Sequence, residues 1–379
     1  MALVGESPTW LDVVAAAHAA GAETWNGRGV TVHRIAGGAN NALYRVEAGG
    51  QSCACKLCVA DERHRAAREY GTLQLLHAAG LDVAPHPLWL DESCTVLPYP
   101  TVVYAWLPGE PLGAAPTSQQ LAALLESVHR MHALRQCDYH GFGLPTACFH
   151  WFDFAAYLAE LHGLLVEYGT WLATAEPHGQ RLRDRLARLV DGCTEFVAAA
   201  AVDPGRERFP LRLCHVDQNL ANAIRGDDGR VRWVDWEYSG WGDPALDVAD
   251  PRWHAAFVGL SEPQQAWLRE NYRRPPDDPG FEERLRVWDR LLVTRWPFLI
   301  LRWLWSEYNG ADRLRLTRRR ADPAELRVRL VRFIERAEQV AAQSARRASS
   351  TYPRTDVAHR VLHGRDAEDE QCHDDCPVE

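Results

Sequence analysis

A chain of 379 residues is long enough for two modest domains or one bilobed unit, and 46% hydrophobic with 25% charged residues is the balance of an ordinary globular protein. A net charge of −9 argues against a general nucleic-acid binder, and no apolar run reaches the length of a membrane span; the most apolar stretch, Trp296 to Trp305, is interrupted by Arg302. Nothing near the start reads as an export signal, so the ten cysteines are expected to be reduced thiols in the cytoplasm.

Ser7 to Ala20 reads as a helix, with Ser7 as cap, Pro8 in the first turn and an apolar stripe of Trp10, Leu11, Val14 and Ala17. Residues 1–29 then form an N-terminal helical extension. Two strands follow within Val30 to Val46, around a turn that holds Gly37 and Gly38. Adjacent glycines permit close backbone approach to a phosphate. A third strand, Gln51 to Val59, carries Lys56 among Cys55, Leu57 and Cys58, and a lysine in an apolar strand needs a counter-charge or a phosphate. Cys53, Cys55 and Cys58 lack the fourth ligand and the loop geometry of a structural zinc site. Asp61 to Ala79 is the next helix, stopped by Gly80, with Tyr70, Leu73, Leu76 and His77 on its inner stripe and Glu69 beside it. Strand segments at Cys94 to Leu97 and Thr101 to Leu107 complete an expected five-stranded sheet. The Pro-Gly turn at Pro108 marks the change to helical character.

Thr117 caps a helix that reaches His132 through Leu121, Leu124, Leu125, Val128 and Met131. His129 and His132 share one face of it without visible metal partners, which favours a structural role. Further helices are expected at Phe152 to Tyr168, Arg181 to Ala200, Glu282 to Asn309 and Pro323 to Gln343, and Pro297 should kink or divide the third of these. Trp288, Trp296, Trp303 and Trp305 on that stretch either wall a cationic amine or fill the core, the commoner use. Arg313 to Arg320 reads as a solvated basic segment, and the polar tail from Arg346, with Cys372, His373 and Cys376, as disordered.

The most informative stretch runs from His215 to Asp250. Leu211 to Cys214 is a short apolar strand, Gly226 to Gly229 is a hairpin turn, and Val231 to Val234 is the returning strand. Asp217 and Asn222 precede this hairpin and Asp235 follows it, so polar groups at its two open ends can meet. Phosphoryl transfer needs a carboxylate near the attacking hydroxyl and oxygen ligands for magnesium, and these positions supply both. Asp243, just before Pro244, is placed to cap a new helix. Glu237 shares a face with Asp235 if the strand continues.

The H-x-D-x-x-x-x-N spacing of His215, Asp217 and Asn222, followed by the strand-end Asp235, resembles the aminoglycoside phosphotransferase and choline kinase-like family, which shares the protein kinase core. Gly37, Gly38, Asn41, Tyr44 and Val46 match that family's G-G-x-x-N-x-x-Y-x-V pattern. The resemblance implies an α+β, bilobed protein kinase-like fold. Residues 30–107 would form an ATP-covering antiparallel sheet lobe with one helix, residues 108–343 a mostly helical catalytic and substrate lobe, and residues 344–379 a tail. It also implies ATP and magnesium as cofactors, with transfer of the γ-phosphoryl group to a hydroxyl of a small molecule. Residue by residue, Asp217 would orient the hydroxyl and take its proton, His215 would organise the loop, and Asn222 and Asp235 would hold magnesium. Lys56 would neutralise the nucleotide phosphates with Glu69 holding it in place. Gly37, Gly38 and Asn41 would cover the nucleotide, backbone around Val103 to Trp106 would hold adenine, and Asp247 would support the site.

Val216 and Gln218 to Ala221 depart from the small and basic residues common in the family's loop, often G-D-x-x-x-G-N, and this reshapes access for the substrate. Glu237, Asp243 and Trp303 lean toward an amine-bearing alcohol or an aminoglycoside-like acceptor, with a sugar or nucleoside left open. The expected partner is thus a small molecule, neither nucleic acid nor membrane. A rival is a nucleotide-binding pseudokinase that regulates or scaffolds; Lys56, Asp217, Asn222 and Asp235 together speak against it. A protein kinase is disfavoured because only about eight residues separate Asp235 from the next helix, too few for an activation segment.

Overall fold

Strict alternation of side chains decides the first layer. The computed structural model describes residues 8–36, 41–113, 115–149, 151, 153–200, 209–254, 260–310 and 322–351, with side chains in the last stretch as far as 343. The chain divides into Met1–Ala341 and Ala342–Glu379, and the architecture here is that of the first unit. Strands β1 (Thr24–Gly27), β2 (Val30–Ile35), β3 (Ala42–Ala48), β4 (Gln51–Leu57), β5 (Pro87–Asp91) and β6 (Thr101–Ala105) form one antiparallel sheet in the order β1-β2-β3-β4-β6-β5. Tyr44, Val46, Cys55, Leu57 and Val103 point to one face and pack with Leu11, Val14 and Ala17 of α1 (Leu11–Ala20). Ala54, Val102 and Tyr104 point to the other and pack with Leu73 and Leu76 of α2 (Arg65–Ala78).

The expectations for this half need three corrections. The sheet has six strands, because β1 pairs with β2 and β5 completes the far edge. Cys94 to Leu97 is not a strand. Asp91 Oδ1 accepts the Ser93 N–H at 2.8 Å and Cys94 adopts φ 55°, so local side-chain bonds make turns that displace the ladder. Helix α1 begins at Leu11 with no side-chain cap, and Ser7 lies outside the described residues.

Beyond the Pro-Gly turn, β7 (Glu110–Pro111), β9 (Ala223–Arg225) and β10 (Val231–Trp233) form a small sheet, and β8 (Arg212–Cys214) pairs with β11 (Gly240–Gly242). Gly109 at that turn has φ 134°, and a Cβ there would lie 2.2 Å from the Arg225 carbonyl oxygen. Gly109→Ala should therefore lower stability by more than about 1 kcal/mol, read as a lower urea midpoint at unchanged slope. An unchanged midpoint would mean that the turn relaxes freely.

The rest is helical: α3 (Ser118–His132), α4 (Phe154–Ala175), α5 (Gly179–Ala199), α6 (Pro244–Trp253), α7 (Glu262–Asn271), α8 (Phe281–Asn309) and α9 (Pro323–Thr351). Thr117 and Gln120 form a capping box on α3, and Asp243 accepts the Ala245 N–H at 2.9 Å to cap α6. Helix α7, with its own Ser261–Gln264 capping box, escaped the sequence reading. Pro297 does not divide α8, which runs unbroken to Asn309. A mid-helix proline costs about 3 kcal/mol, and full burial of Phe298, Ile300, Leu301 and Leu304 beyond it offsets that. Trp288 and Trp296 are buried in the same core, against which Trp303 and Trp305 pack. Helix α9 passes Gln343 and ends at Thr351; residues 352–379, Gly37, Gly38 and Arg313 to Arg320 lie outside the described residues. No described helix is long and apolar enough to cross a membrane.

Candidate active site

Lys56 faces α2 because alternate residues of β4 take opposite sides of the sheet. Its ammonium, on a side chain 6% exposed, lies 2.6 Å from Glu69 Oε2, bonds to Asp235 Oδ1 and sits 3.4 Å from Glu237 Oε2. Asn41 Nδ2 donates to Glu237 Oε2, and Asn41 Oδ1 accepts the Val59 N–H at 3.1 Å. Arg65, at the start of α2, donates to Glu237 Oε1 at 2.8 Å and to Asp61 Oδ2 at 2.9 Å. Burial works against the Lys56 charge, yet Asp235, Glu69 and Glu237 outweigh it and hold its pKa well above the ordinary value. Burial, reinforced by Glu237 and Glu69 against the pull of Lys56, pushes the Asp235 carboxyl up to about 7. Lys56 and Arg65 thus share four carboxylates, Glu69, Asp235, Glu237 and Asp61.

The loop after β8 is built on Asp247 of α6. Its Oδ2 accepts the His215 N–H at 3.1 Å, Gln218 Nε2 at 2.6 Å and His132 Nε2 at 3.0 Å, and its Oδ1 accepts the Val216 N–H at 2.9 Å. Tyr272 completes the chain by bonding His132 Nδ1 at 2.7 Å. His132 thus links α3 to Asp247 and to Tyr272. His132, Cys214 and Asp247 could hold an ion by proximity alone, but Asp247 is already occupied with these donors. Val216, whose N–H is held by Asp247, adopts φ 74°, a conformation costly for a β-branched residue and natural for glycine. His215 is fully buried against Trp233 and Trp236, and its Nε2 donates to the Val234 carbonyl at 3.0 Å. Burial lowers its pKa, so the ring is neutral and ties the loop to the hairpin end.

That hairpin does bring its two open ends together. Val234 N–H donates to the Asn222 carbonyl at 2.9 Å, directly beyond the paired Ala223 and Trp233. Asn222 Nδ2 donates to Asp217 Oδ2 and to the Asp217 carbonyl, both at 3.1 Å, and its Oδ1 accepts no hydrogen bond from a described residue. Asp235 follows at φ 66°, two residues beyond the end of β10, with its carboxylate bonded to Lys56. The Lys56–Asp235 pair and the Asp217–Asn222 pair thus lie at the same end of the hairpin, near enough for Asp217 to bear on the Asp235 charge.

Residues 31–274, well over half of the chain, match the phosphotransferase enzyme family. The chain belongs to that family. A search of curated proteins returned no match. Among solved structures, a protein assigned as an aminoglycoside phosphotransferase from Ralstonia eutropha JMP134 is 17% identical over 88% of this chain and 98% of its own, with a TM-score of 0.58. A spectinomycin phosphotransferase is 12% identical over 82% and 92%, at 0.53, and a choline kinase from Streptococcus pneumoniae 16% identical over 87% and 98%, at 0.52. The expected kinase-like fold, an antiparallel sheet followed by a mostly helical region, is the fold of this phosphotransferase.

Several expected site residues have other partners than the sequence suggests. Glu237 is not on a strand face with Asp235, because β10 ends at Trp233; it is 2% exposed and bonded to Asn41 and Arg65. Asp243 is buried with Arg284, whose Nη2 donates to it at 3.1 Å, and with Trp288 Nε1 at 3.1 Å. Trp303 packs on the helical core beside Trp296 and under Arg329. Val103 is buried beneath α1, and the N–H groups of Ala105 and Trp106 are bonded to His86 and Ser52 at 2.8 and 3.2 Å, so these amides are not free for adenine.

Sequence reasoning missed His254, which follows α6 and places Nε2 3.2 Å from Asp217 Oδ1. No motif marks it. Burial acts to raise the Asp217 pKa, but hydrogen bonds from His254 and Asn219 prevail and lower it from 3.8 to about 2. Burial likewise opposes the His254 charge, while Asp217 and Asp250 prevail and raise its pKa above 6.5. The depressed Asp217 pKa stabilises the fold above 3.8 and is lost as pH falls through about 2. The raised His254 pKa stabilises it fully below 6.5 and is lost as pH rises through the folded-state value. His254→Gln is therefore expected to destabilise the phosphotransferase near pH 5.5 and progressively less at alkaline pH. A urea midpoint difference that stays constant across this range would show that no charge on His254 is involved.

Proposed function

We propose that this phosphotransferase moves the γ-phosphoryl group of ATP, with magnesium, to a hydroxyl of a small molecule. The observation that carries the reading is the juxtaposition of Lys56, held by Glu69 and Asp235, with the Asp217–Asn222 pair across the hairpin end. The residues fit magnesium. Asp235 is disfavoured as an anion where it stands, and Asn222 keeps an oxygen unengaged by described donors. Asn222 and Asp235 would hold magnesium, which neutralises phosphate charge when bound. Lys56 would take phosphate oxygens, with Glu69 fixing its position. Asp217 is ionised at neutral pH, with Asn222 and Asn219 fixing its oxygens at 3.1 and 3.0 Å. A weak base suffices, because the transition state is loose and the proton leaves late. Asp247 holds the backbone that aims it.

The spectinomycin phosphotransferase of this fold was solved with ADP and spectinomycin, which supports nucleotide use and a small acceptor. For an amine-bearing acceptor, the carboxylates expected at Glu237 and Asp243 are already engaged by Asn41, Arg65 and Arg284. The test is ADP formation across a panel of aminoglycosides, amino alcohols, hydroxy acids, sugars and nucleosides with magnesium. Acceptor-dependent ADP formation, abolished by EDTA and restored by magnesium, is expected. Nucleotide binding without turnover on any acceptor would favour a regulatory nucleotide-binding protein instead.

A further inference from the structure

Arg295 of α8 is a cation that the proposed chemistry does not use. It is 8% exposed, and its guanidinium carbon lies 4.6 Å from the Phe149 ring centre and 4.9 Å from that of Trp151. Its Nε is buried without a hydrogen-bond partner. The nearest carboxylate oxygen, Glu160 Oε1, is 3.9 Å away, beyond hydrogen-bond reach, and Glu160 Oε2 already accepts Trp151 Nε1 at 2.8 Å. No described residue accepts a hydrogen bond from this guanidinium, although it offers five donors. The contrast with the other buried arginines is internal to the molecule. Arg284 bonds to Asp243 and Asp278, Arg65 to Asp61 and Glu237, Arg212 to the His132 carbonyl and Asp277, and Arg290 to Cys193. A buried arginine without an acceptor is expensive, and a ligand oxyanion would supply one.

Its place in the fold ties Arg295 to the reacting centre by two routes. Its chain neighbour Trp296 packs edge-on against His254 at 4.7 Å, and His254 lies 3.2 Å from Asp217. On the other side, Phe149 leans on Tyr238 at 5.4 Å, next to Glu237 of the lysine pocket. The Arg295 charge also bears on both Asp250 and His254. The aromatic faces of Phe149 and Trp151 would suit a ligand amine, but the protein's own guanidinium fills them. A second cation there would meet like charge, whereas a planar oxyanion would meet the donor fork. Asp217, Asp250 and Glu160 nearby make a monoanion more acceptable than a phosphate dianion. They also leave room for an ammonium elsewhere on the same acceptor.

We infer that the acceptor alcohol carries a carboxylate, and that Arg295 binds it on the acceptor side of Asp217. This rests on the phosphotransferase reading and adds a substrate class to it. The test uses matched pairs that differ in one group: hydroxy amino acids against the amino alcohols left by decarboxylation, with phosphorylated alcohols as a third arm. The full chain with MgATP should prefer the carboxylated member by at least about tenfold in kcat/KM, the worth of a charged hydrogen bond. Arg295→Gln should erase that preference mainly through KM, and Arg295→Lys should restore part of it. Where no member is turned over, the thermal midpoint with MgADP present decides. A carboxylate-dependent rise in the wild type that Arg295→Gln abolishes supports the assignment, and no rise with any carboxylate overturns it. Equal use of the decarboxylated acceptors, a preference for the phosphorylated ones, or a preference that survives in Arg295→Gln also overturns it. Loss of the MgADP-induced rise itself would instead undo the phosphotransferase reading, so the two failures are separable.

Discussion

Asp217→Asn is expected to lower kcat by roughly 10²- to 10⁴-fold, the usual range for a positioned proton acceptor, while nucleotide affinity stays near that of the wild type. The substitution keeps the oxygen that accepts from Asn219 or His254 and removes the charge that receives the hydroxyl proton. Because Asp217 is held by Asn222, Asn219 and His254 rather than by the apolar core, the folded state should survive. Single-turnover kinetics with an accepted substrate separates chemistry from product release. An unchanged single-turnover rate would remove Asp217 from the chemistry and leave it as a loop-shaping residue.

Arg284→Met should produce the largest loss of stability, about 3–5 kcal/mol, because removing one partner of a buried ion cluster strands the others. Arg284 is 0% exposed, with Asp243 and Asp278 each at 1%, and it bonds to both. Two carboxylates would be left buried without their cation. The effect is read as a lower urea midpoint, and Arg284→Met combined with Asp243→Asn and Asp278→Asn should recover much of it. A single substitution that cost less than about 1 kcal/mol would mean that water reaches the cluster. Since Asp243 also caps α6, which presents Asp247 to the loop, the damaged protein should lose activity at temperatures below its midpoint.

The parts of the site that could be read in advance are those whose chemistry is local in the chain. Asp217, Asn222 and Asp235 are joined by one short hairpin, and spacing alone implies their meeting. Lys56 was conspicuous as a charge in an apolar strand, and Glu69 sits on the very next helix. The fold class is what the family resemblance carried by these same residues implies, and strands ahead of long helical stretches agree with it. The parts that were misread depend on distant partners or on single dihedral angles. Asp243 pairs with Arg284, 41 residues later, so nothing near Asp243 announces its burial. A continuing strand would put Glu237 on one face with Asp235, but β10 ends at Trp233, Asp235 adopts φ 66°, and Glu237 bonds to Asn41 and Arg65. Cys94 to Leu97 had strand-like residues, but Asp91 and Ser93 offered the backbone nearer partners. His254 and Arg295 stand in no pattern at all, because what makes them notable is who stands opposite.

The single carboxylate of Asp247 gathers donors from His132 on α3 and from His215, Val216 and Gln218 on the loop. These partners are separated from it by 115, 32, 31 and 29 residues. The start of the loop therefore gains these bonds only when α3 and α6 have docked, and contacts of that sequence separation form slowly. Chemical competence should accordingly be among the last properties the chain acquires as it folds. During refolding from urea, amide protection in α4 and α5, whose mutual contacts are local, should rise before turnover returns.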